Sequence, residues 1–281
     1  MVNRRLFLAG LAAPVLFRCA NAFGQESDFE KLLAALETDN SSFPGASGRV
    51  EGKEFDTSSF AAAQPKVGKS ARKISGQAIR MITGFEVSGK RRYEAKYRKP
   101  IWPKGASGVT IAIGYDLGYT NSGEFEEDWK PYMADGNRQV LTPTLGVKGT
   151  PARDLLPGVQ TVEVPFDVAS QQFIEQTLPK YIALTESALP NTADLSDDAM
   201  GALVSLTFNR GASYRVRADE DPTGRYEQMR QIRKLMKDKK FADIPDQFRN
   251  MKWIWEGKRD MAGLLTRRDM EADLFEIGLK S

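Results

Sequence analysis

Glu86, Thr110 and Asp116 are the residues whose types and order suit the cleavage of a glycosidic bond. Glu86 falls where a helix should end. About two dozen residues later, the run Gly108-Val109-Thr110-Ile111-Ala112-Ile113-Gly114-Tyr115-Asp116-Leu117-Gly118 carries a hydroxyl and a second carboxylate. Such chemistry needs a carboxylic acid to protonate the leaving oxygen. It usually also needs a second carboxylate that activates water or attacks the sugar. Ala78, Ile79, Ile82 and Phe85 line one helical face, and Glu86 shares it. Burial on such a face favours the protonated form of a carboxyl group, as a general acid requires. The competing reading is a plain helix-end glutamate in solvent. Thr110 and Asp116 lie on one face of an ideal strand, but a fully extended chain would separate them by roughly 20 Å. They can meet in one site only if the chain turns at Gly114. Otherwise Thr110 is a β-branched strand residue and Asp116 a turn residue.

Composition narrows the chemistry further. The 281-residue chain has no histidine, and its one cysteine, Cys19, lies near the start. A Ser-His-Asp triad, a Cys-His pair and histidine-ligated zinc are excluded. Residues 1–22 read as an export signal, with Arg4 and Arg5 before the apolar run Leu6 to Phe17 and a small-x-small site at Ala20-Asn21-Ala22. Asn3-Arg4-Arg5-Leu6-Phe7-Leu8 is similar to the twin-arginine pattern, the alternative being an ordinary secretory signal that holds two arginines; either implies a periplasmic or secreted protein. The signal holds three of the 40 basic residues, so removing it leaves 37 against 37 acidic ones. Overall charge therefore gives no argument for a nucleic-acid partner or an anionic surface. No stretch beyond the signal is long and apolar enough for membrane insertion.

The elements that must hold the three residues are mainly helical. Ser27-Asp28 opens a short amphipathic helix, and residues 39 to 73 read as a linker arm. Ser75 opens the helix that ends at Gly89. Residues 90 to 107 are basic and read as a loop or irregular hairpin. Val109 to Tyr115 alternates as a strand, and residues 120 to 163 read as a long polar connection. Helices are expected over Phe166 to Tyr181, from Ser196 to Gly211, around Tyr226 to Met236, over Phe241 to Met251 and over Leu264 to Ile277. In the last, Arg267 pairs with Glu271.

Four motifs in this order carry a resemblance. They are Phe85-Glu86, the run Val109 to Tyr115, Ala202 to Gly211, and Gly263-Leu264-Leu265-Thr266-Arg267-Arg268-Asp269-Met270-Glu271. Together they resemble the phage-type lysozymes, glycoside hydrolase family 24. The chain departs from that family in two ways. Glu94 is the only acid between Glu86 and Thr110, and Asp116 stands near the place of the family's histidine. This spacing is more similar to the pesticin-like bacteriocins and lysozyme-like toxin domains. The resemblance implies a mainly α (α+β) fold, lysozyme-like, with a small β-hairpin element beside the cleft in residues 74–281, behind an N-terminal helix and arm at 23–73. It implies Glu86 as general acid, Asp116 as general base and Thr110 as the residue positioning the water or the transition state. It also implies an inverting reaction on the β-1,4 bonds of peptidoglycan glycan strands, which needs carboxyls about 6.5–9.5 Å apart. No metal or cofactor is required, and a monomer is expected.

Tyr115, Tyr119, Trp129 and Trp102 are candidates for stacking on sugar rings. Asn209 reads either as a cleft contact or as a helix stop signal. Trp253 and Trp255 are expected in the core, and Arg267 and Arg268 in ion pairs. Two rival functions keep the same scaffold. A lytic transglycosylase needs only one acid, and a cell-wall-binding protein needs none. An effector delivered to competitors is a third reading, against which the amino-terminal signal argues.

Overall fold

The computed structural model describes residues 28–38, 67–258 and 261–281. The export signal and most of the arm expected over 39 to 73 lie outside the described residues.

Helix α1 (Asp28–Glu37) turns Phe29, Leu33 and Leu36 inward, a spacing of four and three that makes one apolar stripe. It packs on α2 (Gly76–Val87), where Leu36 lies over Gly84; a Cβ there would meet the Leu36 side chain at 2.6 Å. Ser75 caps α2 by accepting from the Ala78 amide at 3.1 Å. Ala78, Ile82 and Phe85 are buried, as the periodicity predicts, together with Met81, while Ile79 is only partly so.

The end of α2 differs from expectation. Ser88, not Gly89, takes the left-handed conformation, with φ 59°. Gly89 is needed for another reason: a Cβ on it would stand 1.9 Å from the Glu37 carbonyl oxygen. The basic stretch then forms a helix, α3 (Lys90–Lys96), where a loop or hairpin is expected. Its single inward anchor is Tyr93, whose hydroxyl donates to the Val164 carbonyl at 2.8 Å. One buried residue in seven leaves no periodic signal to read.

The alternating run Val109 to Tyr115 is a hairpin, not one strand. Strands β1 (Thr110–Ile111) and β2 (Tyr115–Asp116) pair antiparallel across a turn at Ala112 to Gly114. Ala112 and Gly114 both have positive φ, 50° and 72°. The polar stretch after it is helical as well: α4 (Ser122–Trp129), α5 (Asp135–Leu141) and α6 (Thr150–Leu155) replace the irregular connection. Asn121 and Glu124 form a capping box at the start of α4.

The next helix runs as α7 (Phe166–Gln172), a π turn over Phe173–Thr177, and α8 (Leu178–Ala188). The wide turn lies just before Pro179, whose ring would crowd the carbonyl four residues back in a regular helix. At the centre lies α9 (Asp197–Arg210), buried on every residue from Ala199 to Thr207. It touches α2 closely enough that a Cβ on Gly201 would fall 2.2 Å from that of Ala78. Helices α10 (Glu227–Lys237), α11 (Ile244–Asn250) and α12 (Ala262–Gly278) complete the domain. The Ser196 hydroxyl donates to the Gly278 carbonyl at 2.8 Å, tying the start of α9 to the end of α12. The result is a mostly helical protein with one two-stranded sheet among the described residues, a lysozyme-like α+β fold.

Candidate active site

Helix α2 carries Glu86 to the edge of the core, where its side chain is 13% exposed. Its Oε1 accepts from Arg267 Nη1 at 2.9 Å. Arg267 is itself buried, with its guanidinium carbon 5.4 Å from the centre of the Phe85 ring. It donates through Nε to Ser205 Oγ at 3.2 Å and Glu271 Oε1 at 3.3 Å, and through Nη2 to the Ser205 carbonyl at 3.1 Å. Glu271 Oε1 also accepts from Ser205 Oγ at 2.6 Å and Arg268 Nη2 at 2.7 Å. The carboxylate is thus one end of an alternating row of charges reaching into the core. Buried charges persist only when paired and hydrogen-bonded in this way.

The other oxygen of Glu86 faces the hairpin. A Cβ on Gly114 would stand 3.2 Å from Glu86 Oε2 and 3.3 Å from the Phe208 ring. Gly114 therefore meets two demands at once, a left-handed turn and a close approach to the acid. Gly114→Ala is expected to cost about 1–2 kcal/mol for the backbone conformation alone. By displacing the acid it should also cut any Glu86-dependent activity by about 10- to 100-fold. Urea unfolding and turnover measured on the same preparation check the two effects separately.

The hairpin turn brings Thr110 and Asp116 directly opposite each other. Cross-strand partners have Cβ atoms about 4.5–5.5 Å apart, so the roughly 20 Å separation of an extended chain disappears. Asp116 Oδ1 accepts from the amides of Gly108 and Gly118, both at 2.9 Å. Thr110 is buried, and its hydroxyl donates to the Gly108 carbonyl at 3.4 Å. Gly108 and Gly118 allow this convergence, since a Cβ on Gly108 would fall 2.3 Å from the Gly118 nitrogen.

Tyr181 joins the two halves of the site. Its hydroxyl is pushed up to about 12, first by burial and then by the charges of Glu86 and Asp116. Both carboxylates therefore bear on one phenol, whose ring lies 4.4 Å from that of Phe208. No sequence signal marks Tyr181. It sits far along the chain on α8, in a helix whose pattern gives only burial.

The aromatic candidates divide. Trp129 is fully buried and presents no open face to a sugar, so it is core packing. Tyr115 packs edge-on against it at 5.5 Å and donates its hydroxyl to Asp128 Oδ2 at 2.8 Å. Burial, followed by the Asp128 charge, pushes the Tyr115 hydroxyl far up. Tyr115 is thus a structural residue too. Tyr119 remains half-buried, with its hydroxyl on the Ala106 carbonyl and Lys148 Nζ 4.4 Å above its ring. Trp102 is also half-buried and donates to the Ser107 carbonyl at 3.0 Å. Asn209 lies partly exposed on the last turn of α9, and its Oδ1 has no hydrogen-bond partner among the described residues. Trp255 is core, with the guanidinium carbons of Arg210 and Arg268 5.2 and 5.6 Å from its ring. Trp253 is not: it is 46% exposed. Glu94 works elsewhere, accepting from the Phe166 amide at 2.9 Å and from Arg98 at 3.1 Å. It thereby serves the start of α7.

The phage lysozyme family model matches residues 130–271, half of the chain. The chain belongs to the phage lysozyme family. No curated protein and no solved structure matches it. The part matched to phage lysozyme holds Tyr181, Asn209, Arg267, Arg268 and Glu271. Glu86, Thr110 and Asp116 precede it. Membership implies a lysozyme-like, peptidoglycan-hydrolysing function. Among the described residues, no group of three or more His, Cys, Asp or Glu side chains could hold a metal ion, and no helix is long and apolar enough to cross a membrane.

Proposed function

We propose that this phage lysozyme relative is an exported glycosidase that cleaves the β-1,4 glycan bonds of peptidoglycan by carboxylate acid/base catalysis. The observation that carries this reading is the division of labour at Glu86. Arg267 holds Oε1, while Oε2 lies against the hairpin that bears Thr110 and Asp116. Oε2 is then the oxygen that delivers the proton to the leaving group. Asp116 acts as general base on the opposite face of the sugar, and Thr110 helps to position the attacking water. This is an inverting scheme. Tyr119 and Asn209 are sugar contacts in the same reading. Residues 1–22 would deliver the chain to the periplasm or beyond.

One observation favours a second reading. Asp116 Oδ1 is committed to the Gly108 and Gly118 amides and caps the turn that follows it. If holding that turn is its whole task, Glu86 is the sole acid. The reaction is then a lytic transglycosylase's, in which a hydroxyl of the sugar itself closes an anhydro ring. Incubating the purified chain with peptidoglycan sacculi and weighing the released fragments separates the two. Hydrolysis is expected to yield products with new reducing ends. Anhydro products lighter by one water would assign the transglycosylase, and binding without fragments would overturn both.

A further inference from the structure

We infer that the basic face of α3 and the segment after it is a docking surface for the carboxylate groups of peptide-bearing peptidoglycan strands. The inference rests on the peptidoglycan reading above and extends it to a surface outside the catalytic residues. Seven of the chain's 40 Lys and Arg, against one of its 37 Asp and Glu, lie between Lys90 and Lys104. The rest of the chain is close to balance, so this charge is concentrated rather than diffuse.

Local acids neutralise only part of it. Lys90 pairs with Asp167 at 2.9 Å, and Arg98 and Lys99 share Glu163, with Glu94 also on Arg98. Arg91 and Lys96 are exposed and have no ion-pair partner among the described residues. The fold turns them outward because Tyr93 is the one side chain of α3 that is buried.

The position of this surface ties it to the site. Its segment begins four residues after Glu86. Within it Ile101 bridges to Thr110 by amide–carbonyl bonds of 3.0 and 2.8 Å. In this proposal a strand seated at Glu86 continues onto these cations, because the segment that carries them joins Glu86 to the hairpin. Peptidoglycan is a neutral sugar backbone carrying carboxylates, and a cationic face next to the cleft raises its local concentration by about tenfold or more.

The test uses the full chain carrying Glu86→Gln, so that binding is measured without turnover. Sacculus binding is compared with and without Arg91→Glu/Lys96→Glu, at about 0.01 M salt and at about 1 M, where the screening length falls to about 3 Å. The double reversal is expected to weaken binding about tenfold at low salt and to have no effect at high salt. Amidation of the sacculus carboxylates should remove the same increment. In a chain with Glu86 intact, turnover of a neutral chito-oligosaccharide should be unchanged by the reversal.

Equal binding by the reversed variant overturns the proposal. So does an equal loss from Lys237→Glu/Lys240→Glu, an exposed pair at the end of α10 and just beyond it, because net charge would then be responsible. Persistence of the increment on amidated sacculi would assign the face to phosphate-bearing polymers. Loss confined to anionic phospholipid vesicles would assign it to a membrane surface. Each of these outcomes also overturns the proposal. If the oligosaccharide is never cleaved while the binding increment stands, the catalytic reading fails and this one survives.

Discussion

Glu86→Gln is expected to lower the release of fragments from sacculi by about 10²- to 10⁴-fold, the contribution of a well-placed general acid. The substitution is close to isosteric. Its amide oxygen can still accept from Arg267 Nη1, as Glu86 Oε1 does at 2.9 Å. Arg267 keeps Glu271 and Ser205 as partners in any case. The fold should therefore survive, and the urea midpoint and sacculus binding should stay close to those of the parent. What the proposed role would lose is a carboxyl oxygen able to take up and deliver a proton on the side that faces Gly114. The measurement is fragment yield per enzyme at saturating sacculi, paired with a binding isotherm. A variant that keeps a tenth of the activity or more would remove Glu86 from the chemistry. The same loss accompanied by loss of folding would say nothing about the proton, which is why the midpoint is measured alongside.

The helical body was legible because its cores are periodic. Met200, Leu203 and Val204 recur at helical spacing and are all buried in α9, and Ser75 and Ser196 cap as read. Elements with little apolar content were not legible. Helix α3 has one inward residue, and the helices between residues 120 and 163 are short and largely polar, so their polarity read as loop. The hairpin failed for a different reason. Alternation marks extended backbone, but it cannot tell one strand of seven residues from two of two with a turn between them. Only Gly114 hinted at the turn, and its partner in positive φ is Ala112, a residue type that gives no warning.

For the site, local sequence named Glu86, Thr110 and Asp116 and gave reasons for each, but the partners that shape them come from far away. Arg267 lies 181 residues along from Glu86, and its assignment to an ion pair was right while the partner across the site went unread. Tyr181 was invisible for the same reason. The aromatic candidates show the opposite error. A tryptophan in a polar stretch, such as Trp129, reads as exposed until its helix is seen to fold inward. Residue type indicated what a side chain can do, but exposure was needed to say whether it does so.

Arg267→Met is expected to destabilise the protein by about 3–5 kcal/mol, the range seen when one partner is removed from a buried ion pair. Methionine preserves much of the stem volume above Phe85, so the loss is mainly electrostatic rather than a cavity. Glu271 would retain Arg268 and Ser205, whereas Glu86 would lose the guanidinium that holds Oε1. Most of the penalty should therefore reside at Glu86, and that claim has a separate check. In the double variant Glu86→Gln/Arg267→Met the uncompensated charge is gone, so its destabilisation should fall short of the sum of the singles by about 0.5–3 kcal/mol. Urea unfolding of the four proteins gives this coupling directly. An additive result would mean that Arg267 stabilises through Glu271 and Ser205 alone. Its bond to the acid would then be incidental, and the fixed orientation of Glu86 would need another source. Against a total stability of about 5–15 kcal/mol, a loss of this size brings the single variant near the edge of folding. The row of charges therefore links the stability of the domain to the orientation of Glu86.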